Sequence, residues 1–453
     1  MAPLLAAALG FVVISLDALV VTVALPDIGT DLHGGIAGLQ WVVDGYTLTF
    51  AAFMLSAGAF ADRIGASRAF AGGLVLFTAA SVACGLATEL WMLVAARLVQ
   101  GLAAALTMPA SLALVRQAYP DPHRRTRAIA TWTAAGAIAT TVGPALGGLL
   151  TSAWNWRAIF FINLPVGIAG LLLLRRAPRS PRRAAPLDLL GQVLAVLGLA
   201  GLTVGVIEGG DRGYRAPEVI GAFGLAAVAV IAFLVVEARH EHPTMPLGLF
   251  RRRPVSVSIA AGFAVNVAWY GTIFLLSLFF QRELHRTAFV AGLMFVPATA
   301  VVALSNLLVA ARMIQRYGPR VPMVLGQAGT VVGLTLLLFV DADTPLALVA
   351  LATVPVGLAG ALAVPALTGL LLGSVEAERA GTAAGVLNTV RQTGGAVAVA
   401  VFGAIVASGA GFGAGLRISL AVAAVALGAT TVATFVALPP IAPAGAATVN
   451  RRA

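Results

Sequence analysis

Fourteen apolar stretches, each long enough to cross a lipid bilayer, occupy most of this 453-residue chain. A transmembrane helix needs about 20 apolar residues, and lipid leaves no backbone polar group a partner outside the protein. The pattern therefore predicts an all-α polytopic membrane protein with fourteen transmembrane helices. The expected segments are residues 4–25, 39–60, 69–88, 91–115, 127–151, 157–174, 188–207, 218–237, 255–280, 288–311, 320–340, 345–372, 381–407 and 416–438.

The composition excludes an ordinary soluble domain, and the sequence contains no motif that would bind a cofactor. The chain is 60% hydrophobic and 10% charged, whereas soluble domains carry roughly a quarter charged residues. The single cysteine, Cys84, excludes an internal disulfide, and neither a metal-ligand spacing nor a phosphate-binding G-x-x-x-x-G-K-[ST] run is present. We expect no cofactor, no metal and no enzymatic activity. The net charge of +11 resides in short loops, which fits contact with the lipid bilayer rather than with nucleic acid.

The arginines predict the orientation in the membrane. With the N-terminus placed inside, 21 of the 29 basic residues fall in cytoplasmic loops or tails, six fall outside, and Arg97 and Arg391 lie within segments. Positively charged residues prefer the cytoplasmic side. The split therefore predicts an even number of crossings of the cell membrane, with both termini cytoplasmic.

Two breaks divide the chain. RRAPRSPRRAAP (175–186) is a basic, proline-rich linker, and a second break lies at 237–254. We predict an N-terminal six-helix bundle (1–176), a linker with two additional helices (177–254), a C-terminal six-helix bundle (255–440) and a cytoplasmic tail (441–453). DRIGASR after segment 2 and QRYGPR after segment 10 form a weak internal repeat that supports this division.

Three charged residues lie within the first four segments. At 1.5 Å per residue, Asp17 lies about 12 Å, Arg97 about 9 Å and Asp44 about 8 Å from the outer ends of their helices. Charges at such depth are costly and are functional candidates by default. Their similar depth permits a buried cluster; the alternative is that these side chains, above all Asp44 and Arg97, reach water at the interface.

Two glycine-rich motifs follow. GAFADRIGASR contains Gly58, Asp62, Arg63, Gly65 and Arg68, and its glycines allow close approach and a tight turn. The alternative is an ordinary charged cytoplasmic turn. In segment 5, Pro144 would kink the helix, while small residues allow close contact with another helix, as in many packed membrane helices. These small residues are Gly143, Gly147 and Gly148.

Segments 9 and 13 carry polar and aromatic side chains suited to lining a substrate-binding cavity. Arg391 lies about 15 Å from the cytoplasmic end of its segment and should face protein or a water-filled cavity. For Trp269 and Tyr270, an interfacial aromatic belt is the alternative. The candidate binding residues are Asn266, Trp269, Tyr270, Phe274, Asn388 and Arg391.

With these motifs in order, the chain resembles the 14-helix drug:proton antiporter family of the major facilitator superfamily. LDALVVTVALP, GAFADRIGASR, RLVQGLAAA, GPALGG and NWRAIFFINLP carry the resemblance, which covers nearly the entire chain. It implies the major-facilitator fold, with two six-helix bundles plus two extra central helices. It also implies a monomer that exchanges protons for a small-molecule substrate.

The resemblance also implies residue roles. Asp17, Asp44 and Arg97 would couple transport to protons, with protonation of Asp17 linked to which side of the protein is open. Asp62, Arg63 and Arg68 would form a cytoplasmic gate against segment 13, and Gly143 and Pro144 would belong to the element typical of exporters.

The function implied is proton-coupled efflux of amphipathic drugs or antibiotics. The alternative is dedicated export of one endogenous metabolite or self-made antibiotic. A membrane enzyme, a channel and a receptor are each less consistent with the sequence, which lacks a convergent catalytic set, a filter and a sizeable soluble domain.

Overall fold

The computed structural model describes residues 1–176, 180, 188–240, 243, 245–376, 380–407 and 411–439, and within them it is built from helices without a strand. Most of the predicted linker at 175–186 and the predicted tail at 441–453 lie outside the described residues. The first nine helices are Ala2–Asp31 (α1), Ile36–Ile64 (α2), Ala66–Gly85 (α3), Leu90–Ala118 (α4), Pro122–Ala153 (α5), Ala158–Phe161 (α6), Asn163–Leu174 (α7), Leu189–Arg212 (α8) and Pro217–Arg239 (α9).

The remaining helices contain several local irregularities, with π turns at Phe279–Glu283, Asn306–Ala310 and Ala359–Ala363. Such turns change the direction of side chains within one membrane crossing. The helices are Arg253–Leu278 (α10), Ala288–Ser305 (α11), Ala311–Tyr317 (α12), Arg320–Leu337 (α13), Leu346–Thr353 (α14), Val364–Gly373 (α15), Ala380–Ala407 (α16) and Phe412–Ala437 (α17).

The number of crossings agrees with the all-α polytopic prediction. Within the described residues, 12 continuous helical stretches are long and apolar enough to span a bilayer. A thirteenth crossing is α2, which bends by 63° between Met54 and Ser56. The shorter apolar stretch Ala158–Leu174, formed by α6 and α7, occupies the position of the sixth predicted segment. With the bent helix α2 and the stretch Ala158–Leu174 added to the 12 continuous stretches, the described residues contain fourteen apolar helical elements.

The same backbone turn recurs in the two halves of the chain. Gly65 joins α2 to α3 with φ of +95°, and Gly318 joins α12 to α13 with φ of +73°. Positive φ favours glycine because other L-residues meet steric strain there. The two turns lie in DRIGASR and QRYGPR, the two copies of the weak sequence repeat.

The helices form two bundles with an additional pair beside them. In the first bundle α3 and α2 pack on α4 and α1 packs on α5; in the second α10 packs on α16 and α13 on α17. The bundles meet where α2 contacts α16 and α5 contacts α11, and the additional pair attaches through α8 to α2 and α16. At this attachment, the Gln192 side-chain amide donates a hydrogen bond to the Ala52 carbonyl oxygen at 2.9 Å.

The bundles are joined at one face of the molecule, called here the closed face. The Gln40 side chain donates to the carbonyl oxygens of Val399 at 3.0 Å and Ala400 at 2.6 Å. Ser277 and Gln281 of the second bundle donate to carbonyl oxygens of α1, each at 2.8 Å. These bonds occupy backbone acceptors across the bundle interface, so this face is sealed.

The opposite face, which carries the Gly65 and Gly318 turns, is called the open face. A Cβ atom added at Gly58 of α2, or at Gly381 or Gly385 of α16, would meet no atom within 4 Å. These glycines of α2 and α16 therefore have open space beside them on this side. By the arginine distribution, the open face is the predicted cytoplasmic face.

Close packing of α2 on α4 yields a stability prediction. A Cβ added at Gly101 would overlap the Tyr46 carbonyl oxygen and lie 2.9 Å from its carbon, whereas a Cβ at Gly72 would meet no atom within 4 Å. We expect Gly101→Ala to destabilise the purified protein by about 1–3 kcal/mol, because a packed backbone must move.

Thermal unfolding in detergent measures this effect. Gly72→Ala is the matched control, since it makes the same change in a helix without a clash. Equal unfolding temperatures for the two variants would contradict the packing described for Gly101.

Candidate functional site

Asp17 lies in α1 and is 1% exposed. Its Oδ2 accepts a hydrogen bond from Arg97 Nη1 at 2.5 Å, and its Oδ1 accepts from Gln100 Nε2 and Asn163 Nδ2, each at 3.0 Å. Buried carboxylates require such donors and a counter-charge because desolvation is costly. Both oxygens of Asp17 are therefore satisfied as a carboxylate inside the first bundle.

Arg97 of α4 supplies the counter-charge and is itself 1% exposed. Besides Asp17, its guanidinium donates to Gln100 Oε1 at 2.8 Å and to the Val42 carbonyl oxygen at 3.0 Å. It also lies over the Tyr46 ring, 4.3 Å from the ring centroid, a favourable cation–π distance. The pair thus connects α1 and α4 to α2.

Neutral polar groups extend the cluster to α3 and α7. Asn163 Nδ2 also donates to Ser81 Oγ at 2.9 Å, and Ser81 donates to the Phe160 carbonyl oxygen at 2.9 Å. Gln100, Asn163 and Ser81 are not among the site residues predicted from the sequence. Two features of the sequence could have indicated them: Gln100 lies one helical turn after Arg97, and Asn163 lies within the motif NWRAIFFINLP.

Asp44 of α2 is fully buried, with 0% exposure, so it does not reach water at the interface. Its Oδ1 accepts a hydrogen bond from Thr47 at 3.3 Å, while its Oδ2 has no partner among the described residues. Asp44 therefore differs from Asp17: both are buried, but only Asp17 has a cationic partner. The interfacial alternative is wrong for all three charged residues.

The residues of the α2–α3 turn lie at the open face, where their side chains are largely exposed. Asp62 and Arg63 are exposed and form no ion pair with a described residue. Arg68 donates to the Ile64 carbonyl oxygen at 3.3 Å. In this conformation the predicted gate residues therefore form neither an ion pair nor a side-chain hydrogen bond with the described residues of α16.

The glycines of α5 lie at close backbone contacts. A Cβ added at Gly147 would lie 2.9 Å from the Val20 carbonyl oxygen of α1, and one at Gly148 would overlap the Ala288 backbone of α11. A Cβ at Gly143 would make only ordinary contact, 3.4 Å from Leu19.

Polar contacts reinforce this junction. Gly292 of α11 lies against the Pro144 carbonyl group. Thr141 and Thr299 donate to each other's carbonyl oxygens, both at 3.2 Å. Helix α5 therefore contacts α1 of its own bundle and α11 of the other at one level of the membrane.

A cavity of about 200 Å³ lies between the two bundles. The first bundle lines it mainly with apolar side chains from α1, α2 and α4, including Phe11, Phe50 and Met108. The second bundle contributes polar groups. These are Tyr270, Asn388, Arg391 and Gln392.

Three of the six candidate binding residues, Tyr270, Asn388 and Arg391, line this cavity. Asn266 lies behind them: its Oδ1 accepts a hydrogen bond from Arg391 Nε at 3.3 Å. Phe274 and Trp269 do not line the cavity. Phe274 is fully buried in the hydrophobic core that both bundles share, and Trp269 packs against that core.

Glu208 lies near the end of the first of the two additional helices and has two partners there. It lies within α8, accepts a hydrogen bond from Trp41 Nε1 at 3.2 Å, and pairs with Arg212 at 2.9 Å. The additional helix pair is thereby attached to α2 near the closed face as well.

The arrangement combines a titratable buried ion pair with a cavity that lies between two bundles and is closed on one side. The family model of the Major Facilitator Superfamily matches residues 7–399, with a second match at 308–452. The chain belongs to this superfamily of transporters.

Individual relatives are similar over most of their length. The chain is 40% identical over 410 residues to the multidrug resistance protein Stp of Mycobacterium tuberculosis, covering 89% of this chain and 75% of that protein. It is 35% identical over 438 residues to a methylenomycin A resistance protein of Bacillus subtilis, covering 96% and 94%. The fold is similar to the inward-open xylose transporter XylE of E. coli, with a TM-score of 0.66, 15% identity and coverage of 97% and 96%.

The buried pair yields a test by double substitution. Arg97→Met leaves the Asp17 carboxylate buried without a cation, which we expect to destabilise the protein by about 3–5 kcal/mol. Adding Asp17→Asn removes that unpaired charge, so the double variant should recover part of the loss. Thermal unfolding of the purified single and double variants measures the coupling between the two residues. A double variant less stable than Arg97→Met alone would contradict the ion pair.

Proposed function

We propose that this protein is a proton-coupled efflux transporter that exports amphipathic drugs or antibiotics across the cytoplasmic membrane. Its partners are then small-molecule substrates, protons and the bilayer, and it acts as a monomer without enzymatic activity. In this proposal both termini and the open face lie on the cytoplasmic side, which the distribution of the arginines supports. The observation that carries the proposal is the buried Asp17–Arg97 pair beside a cavity between the bundles, in a chain of this superfamily.

Asp17 is proposed as the residue that links protons to conformation. In the conformation closed on one face, its ionised form is stabilised by Arg97, Gln100 and Asn163. Protonation weakens the attraction to Arg97, and it therefore shifts the population toward conformations in which this pair is not needed. Helix α1 also contributes Ile14, Ser15, Ala18 and Leu19 to the cavity wall, so rearrangement of the pair reaches the substrate site directly.

Asp44 is proposed as a second proton carrier. A buried carboxylate without a cationic partner carries a large desolvation cost, and Oδ2 of Asp44 has no described partner. We infer that Asp44 is neutral in this conformation and becomes ionised when a rearrangement of α2 gives it water or a cation.

The α2–α3 turn is proposed to act in the opposite conformation. Asp62, Arg63 and Arg68 lie at the open face. When that face closes, they come within reach of the cytoplasmic end of α16, with Gly58 and Gly65 allowing the approach. The glycines and Pro144 of α5 remain a contact around which the bundles can rock.

The driving force is adequate for accumulation against a gradient. One proton moving inward across a potential of 100 mV releases about 2.3 kcal/mol, to which a pH gradient adds. No phosphate-binding loop is present in the sequence, so energy from protons fits the chain better than energy from ATP.

Dedicated export of a single compound is the second candidate function. One relative at 35% identity is named for resistance to a single antibiotic, methylenomycin A, whereas another at 40% is named for multidrug resistance. Drug susceptibility in a host that lacks its own pumps distinguishes the two. Protection against several chemically unrelated compounds supports broad efflux, and protection against one supports a dedicated exporter.

Asp17→Asn tests the coupling. We expect it to abolish export driven by a pH gradient in everted membrane vesicles, because the variant side chain cannot carry a proton. Substrate exchange without a gradient should persist, since the cavity is unchanged. Vesicles scored for both processes separate lost coupling from misfolding.

Asp343→Asn is the matched control. Asp343 is an exposed loop acid, and its substitution should leave gradient-driven export at the wild-type level. Gradient-driven export that survives Asp17→Asn unchanged would remove Asp17 from the mechanism.

A further inference from the structure

The cavity between the bundles is lined by a cation, Arg391, that has no counter-charge among the described residues. Arg391 lies on α16, about 16 Å from its first residue at 1.5 Å per residue. Within the described part of the chain it forms no ion pair. Among the described residues that line the cavity, none is acidic.

The contacts of Arg391 are few and long. Its Nε donates to Asn266 Oδ1 at 3.3 Å, and its Nη1 donates to Asn388 Oδ1 at 3.5 Å. Both acceptors are neutral amides, whereas a guanidinium has five N–H donors and is always charged. Arg391 lines the cavity, and the described residues use only a part of its hydrogen-bonding capacity.

Arg97 provides an internal comparison. It is also an arginine in the interior of a membrane helix, and the protein neutralises it with Asp17 at 2.5 Å and surrounds it with further acceptors. Since charges in the membrane interior are normally paired or face water, the missing partner of Arg391 points to a negative charge that is not part of the chain.

We propose that the transported substrate is an amphipathic organic anion whose carboxylate, or an equivalent oxyanion, binds the Arg391 guanidinium. Its apolar body lies against the opposite wall, formed by Phe11, Ile14, Phe50, Met54 and Met108. Arginine matches a carboxylate through two parallel hydrogen bonds, and Asn388 and Asn266 hold the guanidinium. This inference rests on the proposed export function, because it assigns the charge of the cargo.

Three probes of one apolar body and different charge test the proposal: dansylglycine (an acid), dansylglycinamide (neutral) and dansylcadaverine (a cation). Binding to the purified full chain in nanodiscs is measured by tryptophan-to-dansyl energy transfer, with empty nanodiscs subtracted. We expect the acid to bind about tenfold more tightly than the amide, as for one charged hydrogen-bonded contact, and the cation to bind most weakly.

Arg391→Met should remove this preference, lowering affinity for the acid about tenfold while changing affinity for the amide little. Asn388→Asp is a second variant, nearly identical in shape to the native side chain, that places a carboxylate beside the guanidinium. Because the new carboxylate neutralises Arg391 within the protein, this variant should also bind dansylglycine weakly while its affinity for dansylglycinamide is retained. Arg286→Met, at an exposed loop arginine, is the matched control and should retain the wild-type order.

A wild-type protein that binds the acid no better than the amide would overturn the inference. A preference for the acid that survives both Arg391→Met and Asn388→Asp would do so as well. If Arg391→Met binds none of the three probes because it is misfolded, the binding preferences of Asn388→Asp decide between the outcomes.

The binding assay uses no gradient, so its outcome is separate from that of the export assay. A chain that selects the acid but exports nothing refutes the proposed function. A chain that exports only neutral or cationic compounds and does not select the acid refutes this inference.

Discussion

The ion pair between Asp17 and Arg97 is the interaction on which the described conformation depends. Leaving either charge unpaired in the bundle interior costs several kcal/mol, so α1 and α4 must be docked with both side chains in register. Gln100, Asn163 and the Val42 carbonyl group complete the hydrogen bonds. A change in the charge of Asp17 therefore acts on several packed helices at once rather than on one side chain.

The same turn of α1 that holds Asp17 also contributes to the cavity wall through Ser15 and Ala18. Across the cavity, α16 contributes Arg391, which pairs with no acid in the part of the chain that the structure describes. The two arginines therefore have different proposed roles. Arg97 is neutralised by Asp17 within the protein and takes part in proton coupling, whereas Arg391 binds the anionic group of the substrate. The hydrogen bonds from Gln40 to α16 close the cavity toward the closed face.

Much of this arrangement could be predicted from the sequence, because a charge in an apolar segment is conspicuous and its depth follows from helical rise. The joining of Asp17 and Arg97 follows from that reasoning. Gln100 and Asn163 were not predicted because neutral polar residues are common in membrane helices. The hydrophobic pattern also does not show which face of α4 or α7 meets the Asp17–Arg97 pair. Phe274 was misplaced for a related reason: it packs into the hydrophobic core that both bundles share, and the sequence does not show which aromatic side chains of α10 face that core and which face the cavity. The unpaired state of Arg391 depends on which helices meet, and local sequence does not specify that.

The central claim, that protonation of Asp17 controls which face is open, is tested most directly by distances across the closed face. Trp154→Cys and Phe339→Cys place spin labels on different bundles at positions 74% and 77% exposed, while the native Cys84 is buried. Electron–electron resonance then gives the distance distribution in alkaline and acidic buffer. If protonation of Asp17 opens this face, acid increases the longer distances in the labelled wild-type background and has no effect when Asp17→Asn is added. An unchanged acid response in the Asp17→Asn background would contradict this claim.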